Sequence, residues 1–278
     1  MVKFKTKKTK RIMLLIIILL FIAFLIIACN QRLIVRHYTI ESEKLSKPFR
    51  VAVVADLHSC FYGENQQKLI SAISSAEPDV VLLVGDIIDD DEPIDGAVVF
   101  LERISQMYPC YYVTGNHEAY LDSVDDAKTM IRDFKITVLE GECDMISING
   151  QSVQIIGVDD PDVCTSAVFS KQLDKAFYSA DESVFMLLLS HRPERIEQYL
   201  EYPPDLIVSG HAHGGHWRIP GILNGVYSPD QGLFPKYAGG VYEHGETIHI
   251  VSRGLSIQYL IPRIFNRPEL VIIDVEPA

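Results

Sequence analysis

Asp79-Val80-Val81-Leu82-Leu83-Val84-Gly85-Asp86 is a short apolar run that stops at a glycine and a carboxylate. The same grammar recurs along the chain. Val51-Ala52-Val53-Val54-Ala55 ends at Asp56, and Tyr111-Tyr112-Val113 precedes Gly115-Asn116-His117. Val184-Phe185-Met186-Leu187-Leu188-Leu189 leads to His191, and Leu206-Ile207-Val208 leads to Gly210-His211. Runs of this length, rich in β-branched and aromatic residues, read as strands buried on both faces. Helical patterns lie between them, over residues 65–76, 96–105, 123–134 and 192–200, with Asp122 or Ser123 placed to cap the third. Asn149-Gly150, between apolar stretches at 145–148 and 153–158, is a hairpin signal, because both turn residues tolerate positive φ. Late strands are expected over 247–251 and 270–275. Strands, crossover helices and a hairpin together predict an α/β fold, a two-sheet mixed β-sandwich flanked by helices.

The polar residues fall at one end of this pattern. Five apolar strands each finish, at the C-terminal end, in Asp, Asn or His, where α/β sheets bind ligands. The candidate metal-ligating set is Asp56, His58, Asp86, Asn116, His191, His211 and His213. All are oxygen or imidazole donors and none is a thiolate, which suits divalent Mn, Fe or Zn. Seven donors are too many for one ion of ordinary coordination and suit two ions sharing one carboxylate. A lone Asp at a strand end is ordinarily a turn former or a helix cap, and an isolated His ordinarily a hydrogen-bonded structural residue. The ordered series D-x-H, G-D-x-x-D, G-N-H-E, single His and G-H-x-H, each after a buried strand, points to a built site.

That series resembles the calcineurin-like metallophosphoesterase superfamily. The matching segments are Asp56-Leu57-His58, Gly85-Asp86-Ile87-Ile88-Asp89, Gly115-Asn116-His117-Glu118, His191 and Gly210-His211-Ala212-His213. The resemblance runs from about Arg50 to the C-terminus. It extends to a membrane-anchored bacterial branch through Gly214-Gly215, Ser252-Arg253-Gly254 and Arg263-Ile264-Phe265-Asn266-Arg267-Pro268-Glu269; that branch usually carries Gln where this chain has His216. The resemblance implies an αββα sandwich holding two divalent ions. Asp56, His58, Asp86 and His213 would bind the first, and Asp86, Asn116, His191 and His211 the second, with Asp86 bridging. His117 would be the catalytic residue, a non-ligand that donates a proton or stabilises charge. Two such ions can hold a water between them and lower its pKa toward neutrality, giving a hydroxide to attack phosphorus in line. The implied function is a phosphoester hydrolase, and such sites serve monoesters, diesters and pyrophosphates alike. It is the membrane tether that favours a phosphodiesterase or pyrophosphatase acting on a membrane- or envelope-associated substrate, a lipid-linked phosphoester or a wall polymer. A non-catalytic metal-dependent binding or scaffold protein on the same fold would lack part of the ligand set or His117, and this chain lacks neither. No residue pattern singles out the substrate-binding groups.

The N-terminus bears on location. Residues 12–29 are 18 consecutive apolar residues, long enough for a transmembrane helix, after a segment (1–11) with six basic and no acidic residues. A cytoplasmic basic segment, an anchor over 12–29, a linker or first strand over 30–47 and an extracytoplasmic catalytic domain over 48–278 are expected. Ile26-Ile27-Ala28-Cys29 resembles a lipobox, so lipidation at Cys29 is the alternative to an uncleaved anchor. Beyond residue 11 the chain carries 19 basic against 37 acidic residues, which excludes a general nucleic-acid binder. Phosphate handling in so acidic a domain requires bound cations. Cys60, Cys110, Cys143 and Cys164 show no spacing that selects a disulfide, and read as small buried hydrophobes.

Several neighbours carry plainer expectations. Asp89 reads as a loop or cap residue; Asp90, Asp91 and Glu92 read as a solvated acidic turn with Pro93 starting the next helix; Asp159-Asp160 reads as a turn. Glu118 either orients His117 or lies on the surface. His216, Trp217, Tyr242 and Arg253 fall in a segment expected to wall the cleft, serving either substrate contact or packing.

Overall fold

The computed structural model describes residues 7–257 and 262–278, so Lys3 and Lys5 of the basic segment lie outside the described residues. The chain opens with α1 (Lys7–Ala28), about 33 Å long at 1.5 Å per residue and exposed over residues 9–27. Among the described residues it is the one helix long and apolar enough to cross a membrane. β1 (Ile34–Ser42) follows, so the segment at 30–47 is not a free linker and the sheet begins before residue 48. All nine β1 residues are in register with a partner strand, which satisfies backbone groups a linker would leave to water.

The first half of the domain then alternates strands and helices: β2 (Phe49–Val54), α2 (Gln67–Ala76), β3 (Val80–Val84), α3 (Asp95–Ser105), β4 (Cys110–Val113), the short α4 (Asn116–Ala119), α5 (Val124–Asp133) and β5 (Thr137–Val138). Ser123 caps α5 by accepting the Asp126 N–H. In the second half β6 (Glu142–Ile148) and β7 (Gln151–Gly157) form the Asn149-Gly150 hairpin, with φ of 55° and 79° at the turn. α6 (Ser166–Tyr178), β8 (Phe185–Leu189), α7 (Ile196–Tyr199) and β9 (Leu206–Ser209) follow, then the small pair β10 (Tyr227–Ser228) and β11 (Gly232–Leu233), and β12 (Gly240–His244) with β13 (Thr247–Val251). The last strand, β14 (Glu269–Pro277), returns to the first sheet.

The two six-stranded sheets have the orders β1-β14-β2-β3-β4-β5 and β12-β13-β9-β8-β7-β6. Their centres are parallel: β2, β3 and β4 in one, β7, β8 and β9 in the other. Alternate residues explain why β3 is apolar throughout. Leu82 and Val84 face the sandwich interior with Leu187, Leu189 and Val208. Val81 and Leu83 face the opposite way, onto Leu69, Ile73, Phe100 and Leu101 of α2 and α3. Ile156, Leu188 and Ile207 pack outward on Phe169, Leu173 and Tyr199 of α6 and α7. A one-residue slip of β3 would exchange its two apolar faces without exposing either, so register is fixed by the polar ends of the strand instead. The result is the two-sheet, helix-flanked α/β sandwich expected from the sequence.

Three local expectations fail for identifiable reasons. The 192–200 helix breaks into a 3-10 turn over Pro193–Arg195 and α7, because Arg192 is extended (φ −90°, ψ 100°) and Arg195 leaves helical geometry (φ −82°, ψ 12°). α3 starts at Asp95, two residues beyond Pro93. The helix at α6 is not among the helical patterns expected, although Thr165 caps it and Phe169, Leu173 and Ala176 line one face. The cysteines are unpaired, and Cys110 is buried.

His249 on β13 gives this fold an acid-sensitive point. The ring is fully buried, with Nε2 3.1 Å from Ser209 Oγ, Nδ1 unpartnered, and Tyr237, Tyr242 and His244 around it. Burial, reinforced by His244, pushes its pKa down to about 3. A base with a depressed folded pKa contributes stability that is fully present above the unfolded value of about 6.5 and is lost as pH falls toward the folded one. The slope is about 1.4 kcal/mol per pH unit inside that window. His249→Gln is therefore expected to lose about 2–3 kcal/mol less than the parent between pH 6.5 and 4.5, read by urea unfolding at both values. Parallel losses in the two proteins would remove His249 from this role.

Candidate metal centre

The C-terminal ends of β2, β3, β4, β8 and β9 open on one edge of the sandwich, and the seven candidate donors stand there. Asp56, His58, Asp86 and His213 each bring one donor atom within 4.8 Å of the others, and so do Asp86, His191 and His211. Asp86 belongs to both groups. Its Oδ2 is 3.1 Å from His191 Nε2 and 3.6 Å from His58 Nε2, while Asp56 Oδ1 is 3.6 Å from His213 Nε2 and 4.0 Å from His191 Nε2. Asn116 opens α4 between Gly115, packed on Asp86, and His117, whose N–H donates to Asp86 Oδ1 at 2.9 Å.

The local backbone is built for this convergence. Asp56, His58, Asp86, His211 and His213 all have positive φ, between 47° and 64°. Non-glycine residues there cost on the order of 1–2 kcal/mol each, and such strain gathers at functional sites. Gly85 (φ 75°) has to be glycine twice over, since a Cβ would lie 2.4 Å from His191 Nδ1. Gly254 (φ 71°) is held in the same way by Asp56, 2.6 Å from where its Cβ would be.

Buried polar atoms are ordinarily hydrogen-bonded. Here Asp56 Oδ2, His58 Nε2, Asp86 Oδ2, Asn116 Oδ1 and His191 Nε2 are all buried and unpartnered. Five of the seven candidate residues thus carry a desolvated, unpartnered polar atom, an arrangement costly for a protein alone and suited to divalent cations. The other ring nitrogens are held from behind. His191 Nδ1–H donates to the Val84 carbonyl at 2.9 Å, which leaves Nε2 as the donor to the site. His58 Nδ1 meets Asp89 Oδ2 at 2.6 Å, and His213 Nδ1 meets Ser256 Oγ at 3.0 Å. His211 Nε2 lies 2.9 Å from Asp230 Oδ2 and 3.2 Å from Arg192 Nη1, so Nδ1 is its remaining ring nitrogen.

Within the cluster the carboxylates and imidazoles offset one another's charge. Burial alone would lower His191, but the Asp86 carboxylate, followed by Asp56, outweighs it and holds the pKa up to about 10. Burial would likewise raise Asp86, yet His191, then His58 and His117, keep it well below the usual carboxylate range. Asp56 is raised by burial against the pull of His191. His213 is pushed well down by burial, then by the charges of His58 and Arg263.

His117 stands at the rim with its side chain 31% exposed, edge-on to His58 with ring centroids 4.4 Å apart. Its Nδ1 is 2.5 Å from Asp90 Oδ1, so Asp90 is a partner of His117 and not part of a purely solvated turn. Asp89 does double duty, capping the turn through the Asp91 and Glu92 N–H groups and holding His58. Glu118 departs from both expectations. It is fully buried and accepts the N–H groups of Asp86, Ile87, Ile88 and Gly115. A turn does begin at Asp160, whose carbonyl accepts the Val163 N–H at 3.0 Å, but both side chains are buried: Asp159 pairs with Lys128 at 2.8 Å, and Asp160 grips Arg192 with both oxygens. Buried carboxylates need such partners.

Arg192, directly after His191, went unread in the sequence. It ties together Asp160, Asp162 and Asp230 behind His211. An arginine next to a strand-end histidine was the available signal, with no way to tell inward from outward. Of the expected cleft-wall residues, Tyr242 and Arg253 serve packing: the Tyr242 hydroxyl accepts the Ala238 N–H, and Arg253 pairs with Glu269 at 3.3 Å. His216 stacks on His213, and Trp217 turns outward.

A helix-flanked double sheet whose parallel strand ends gather histidines and carboxylates around shared, unpartnered donor atoms defines a metal-dependent hydrolase. More narrowly, the chain belongs to the calcineurin-like phosphoesterase family, which it matches over residues 49–215. It is 29% identical over 251 residues to an uncharacterized metallophosphoesterase of Aquifex aeolicus, covering 87% of this chain and 91% of that one. It is 26% identical over 248 residues to an uncharacterized metallophosphoesterase of Helicobacter pylori, covering 87% of this chain and 64% of the relative. Phosphodiesterase YaeI of Escherichia coli is 24% identical over 253 residues, covering 87% of each. The chain is a phosphoester hydrolase, and its clustered donors suit divalent metal ions.

Proposed function

We propose that the chain is a two-metal phosphodiesterase or pyrophosphatase. The observation that carries this reading is the sharing of Asp86 by two donor groups, in which Asp56 Oδ2, His58 Nε2, Asp86 Oδ2 and His191 Nε2 are buried without a hydrogen-bond partner. Asp56, His58, Asp86 and His213 hold one ion, and Asp86, Asn116, His191 and His211 the other. Mn, Fe or Zn fits these donors. When bound, such a pair supplies Lewis acidity to the phosphoryl oxygens and a water acidified toward neutrality. The chain's own part is positional. Asp89, Val84 and Ser256 fix the rings of His58, His191 and His213 from behind. Asp90 takes His117 Nδ1, which leaves Nε2 to carry a proton toward the leaving oxygen.

The diester preference draws on the Escherichia coli relative's name. The location draws on α1, read as a single membrane span after a cytoplasmic basic segment, with the catalytic domain beyond it outside the cytoplasm. An uncleaved anchor is the reading taken, with lipidation at Cys29 its alternative. A membrane- or envelope-associated, lipid-linked phosphoester is the substrate this placement favours.

The test is hydrolysis of bis-p-nitrophenyl phosphate beside p-nitrophenyl phosphate by the full chain in detergent, with Mn, Zn or Mg, before and after chelation. Faster diester turnover that disappears on chelation and returns with metal supports the proposal. Absence of both turnover and bound metal would sink it. His117→Ala is expected to keep its metal, read by elemental analysis, and to lose turnover by at least roughly a hundredfold. Retained activity with lost metal would reassign His117 as a ligand.

A further inference from the structure

We infer that the loop between His216 and Tyr237 is a second membrane contact, one that lays the mouth of the metal centre against the bilayer surface. The inference rests on reading α1 as a membrane anchor. Trp217 pairs with Ile264 as parallel strand neighbours, Arg218 N–H donates to the Ile264 carbonyl at 2.9 Å, and Trp217 Nε1–H donates to the Pro262 carbonyl at 3.0 Å. The next residue, Phe265, donates its N–H to the Ala28 carbonyl at 2.7 Å and packs edge-on against Phe24, with ring centroids 5.6 Å apart. Trp217 is therefore one strand's width, about 5 Å, from the chain that holds the end of α1.

The loop presents apolar side chains outward at this place. Ile222 is 83% exposed, Leu233 69%, Phe234 65% and Trp217 42%, with Ile219 and Tyr227 about half exposed. Contiguous exposed apolar residues of this size mark an interaction surface. Phe61, itself half exposed, lines the cleft beside residues 29–33 and so borders the same end of the helix.

Charge points the same way. The domain is strongly acidic, yet the one acidic residue between Trp217 and Lys236 is Asp230, half exposed and ion-paired to Arg192 and His211. The loop keeps Arg218 and Lys236. An apolar surface with aromatic residues, the exposed Lys236 at its edge and its single carboxylate ion-paired to Arg192 fits the headgroup boundary of a bilayer, anionic lipid included. A protein partner would leave unexplained why the patch is continuous with the membrane helix. The patch also reaches the site: the Tyr227 ring stacks on His216 at 6.4 Å, and His216 stacks on His213 at 5.7 Å. A phosphoester held at headgroup depth would enter along this wall without leaving the membrane surface.

Trp217 is the only tryptophan in the chain, so its emission reports on the loop directly. The full chain is reconstituted in phosphatidylcholine–phosphatidylglycerol vesicles, floated, and titrated either with lipid brominated on the acyl chain near the headgroup or with aqueous acrylamide. Bromolipid should quench Trp217 by at least about twofold, and more strongly than acrylamide, if the indole sits at the interface. Stronger quenching by acrylamide, with bromolipid without effect, overturns the inference. The double variant Ile222→Asp, Phe234→Asp should lose the bromolipid quenching while keeping the parent's unfolding midpoint; undiminished quenching also overturns it. A chain that fails to float takes down the anchor reading and this inference together. None of these readouts requires turnover, so they stand apart from the fate of the proposed chemistry.

Discussion

Replacing Asp86 by asparagine is expected to strip the chain of both metal ions and to lower diester turnover at least about 1,000-fold, the equivalent of roughly 4 kcal/mol of lost transition-state stabilisation. The substitution is nearly isosteric, which isolates charge from shape. An asparagine oxygen can still accept the His117 N–H that Asp86 Oδ1 accepts now. The other position is where the effect lies. Asp86 Oδ2 is buried, unpartnered and within 3.1–3.6 Å of His191 and His58, in both donor groups at once. Putting an amide N–H there points a donor at the place proposed for the cations and removes the one carboxylate that two of them would share. Loss of a donor belonging to a single group, as in His213→Ala, should by contrast leave one ion in place. Elemental analysis of the purified variants, beside steady-state hydrolysis, separates the cases. Two ions per chain in the Asp86→Asn protein would mean that the shared-carboxylate reading is wrong.

The strands, and the Asp and His residues that cluster at their ends, were legible in the sequence because both are written locally. A double-faced apolar run such as 80–84 permits little but a buried strand, and Gly85-Asp86 at its end marks a turn as well as a donor. The hairpin at Asn149-Gly150 is of the same kind. The supports of the site were not legible, because each depends on contacts between residues far apart in the chain. Glu118 looks like any surface glutamate beside a histidine until the 86–88 loop is folded over it. Ser256 and Arg263 reach His213 from about fifty residues away, and Asp160 reaches Arg192 from the next strand–loop unit. β1 had too mixed a composition to be distinguished from a linker. Its burial pattern is largely exposed, and it is held as an edge strand by β14, from the other end of the chain. Sequence period reports which face is buried, not which distant strand offers an open edge.

Glu118 is accordingly where the largest loss of stability is expected. Its carboxylate is enclosed, and it accepts four backbone N–H groups at 2.7–3.0 Å, two on each oxygen. Three of those groups belong to the turn that carries Asp86, and the fourth to Gly115, against which Asp86 packs. Burial, aided by the nearby Asp86 charge, raises the Glu118 pKa, so the site tolerates this anion only through those four donors. Glu118→Ala would leave them facing an apolar gap. An unsatisfied buried donor costs about 1–3 kcal/mol; allowing for a water entering the space, the expected loss is about 3–6 kcal/mol, comparable to the whole stability of an ordinary domain. Glu118→Gln keeps the volume but turns an amide N–H toward backbone donors, so it should fall between parent and alanine, at about 1–3 kcal/mol. The measurement is urea unfolding of the metal-stripped proteins, which keeps cation binding out of the comparison. If the alanine protein unfolds within about 1 kcal/mol of the parent, the Asp86 turn is held by something other than Glu118. If it follows the expected order, the acidic residue after His117 is a structural keystone, and the loop that presents the shared carboxylate depends on it before any cation binds.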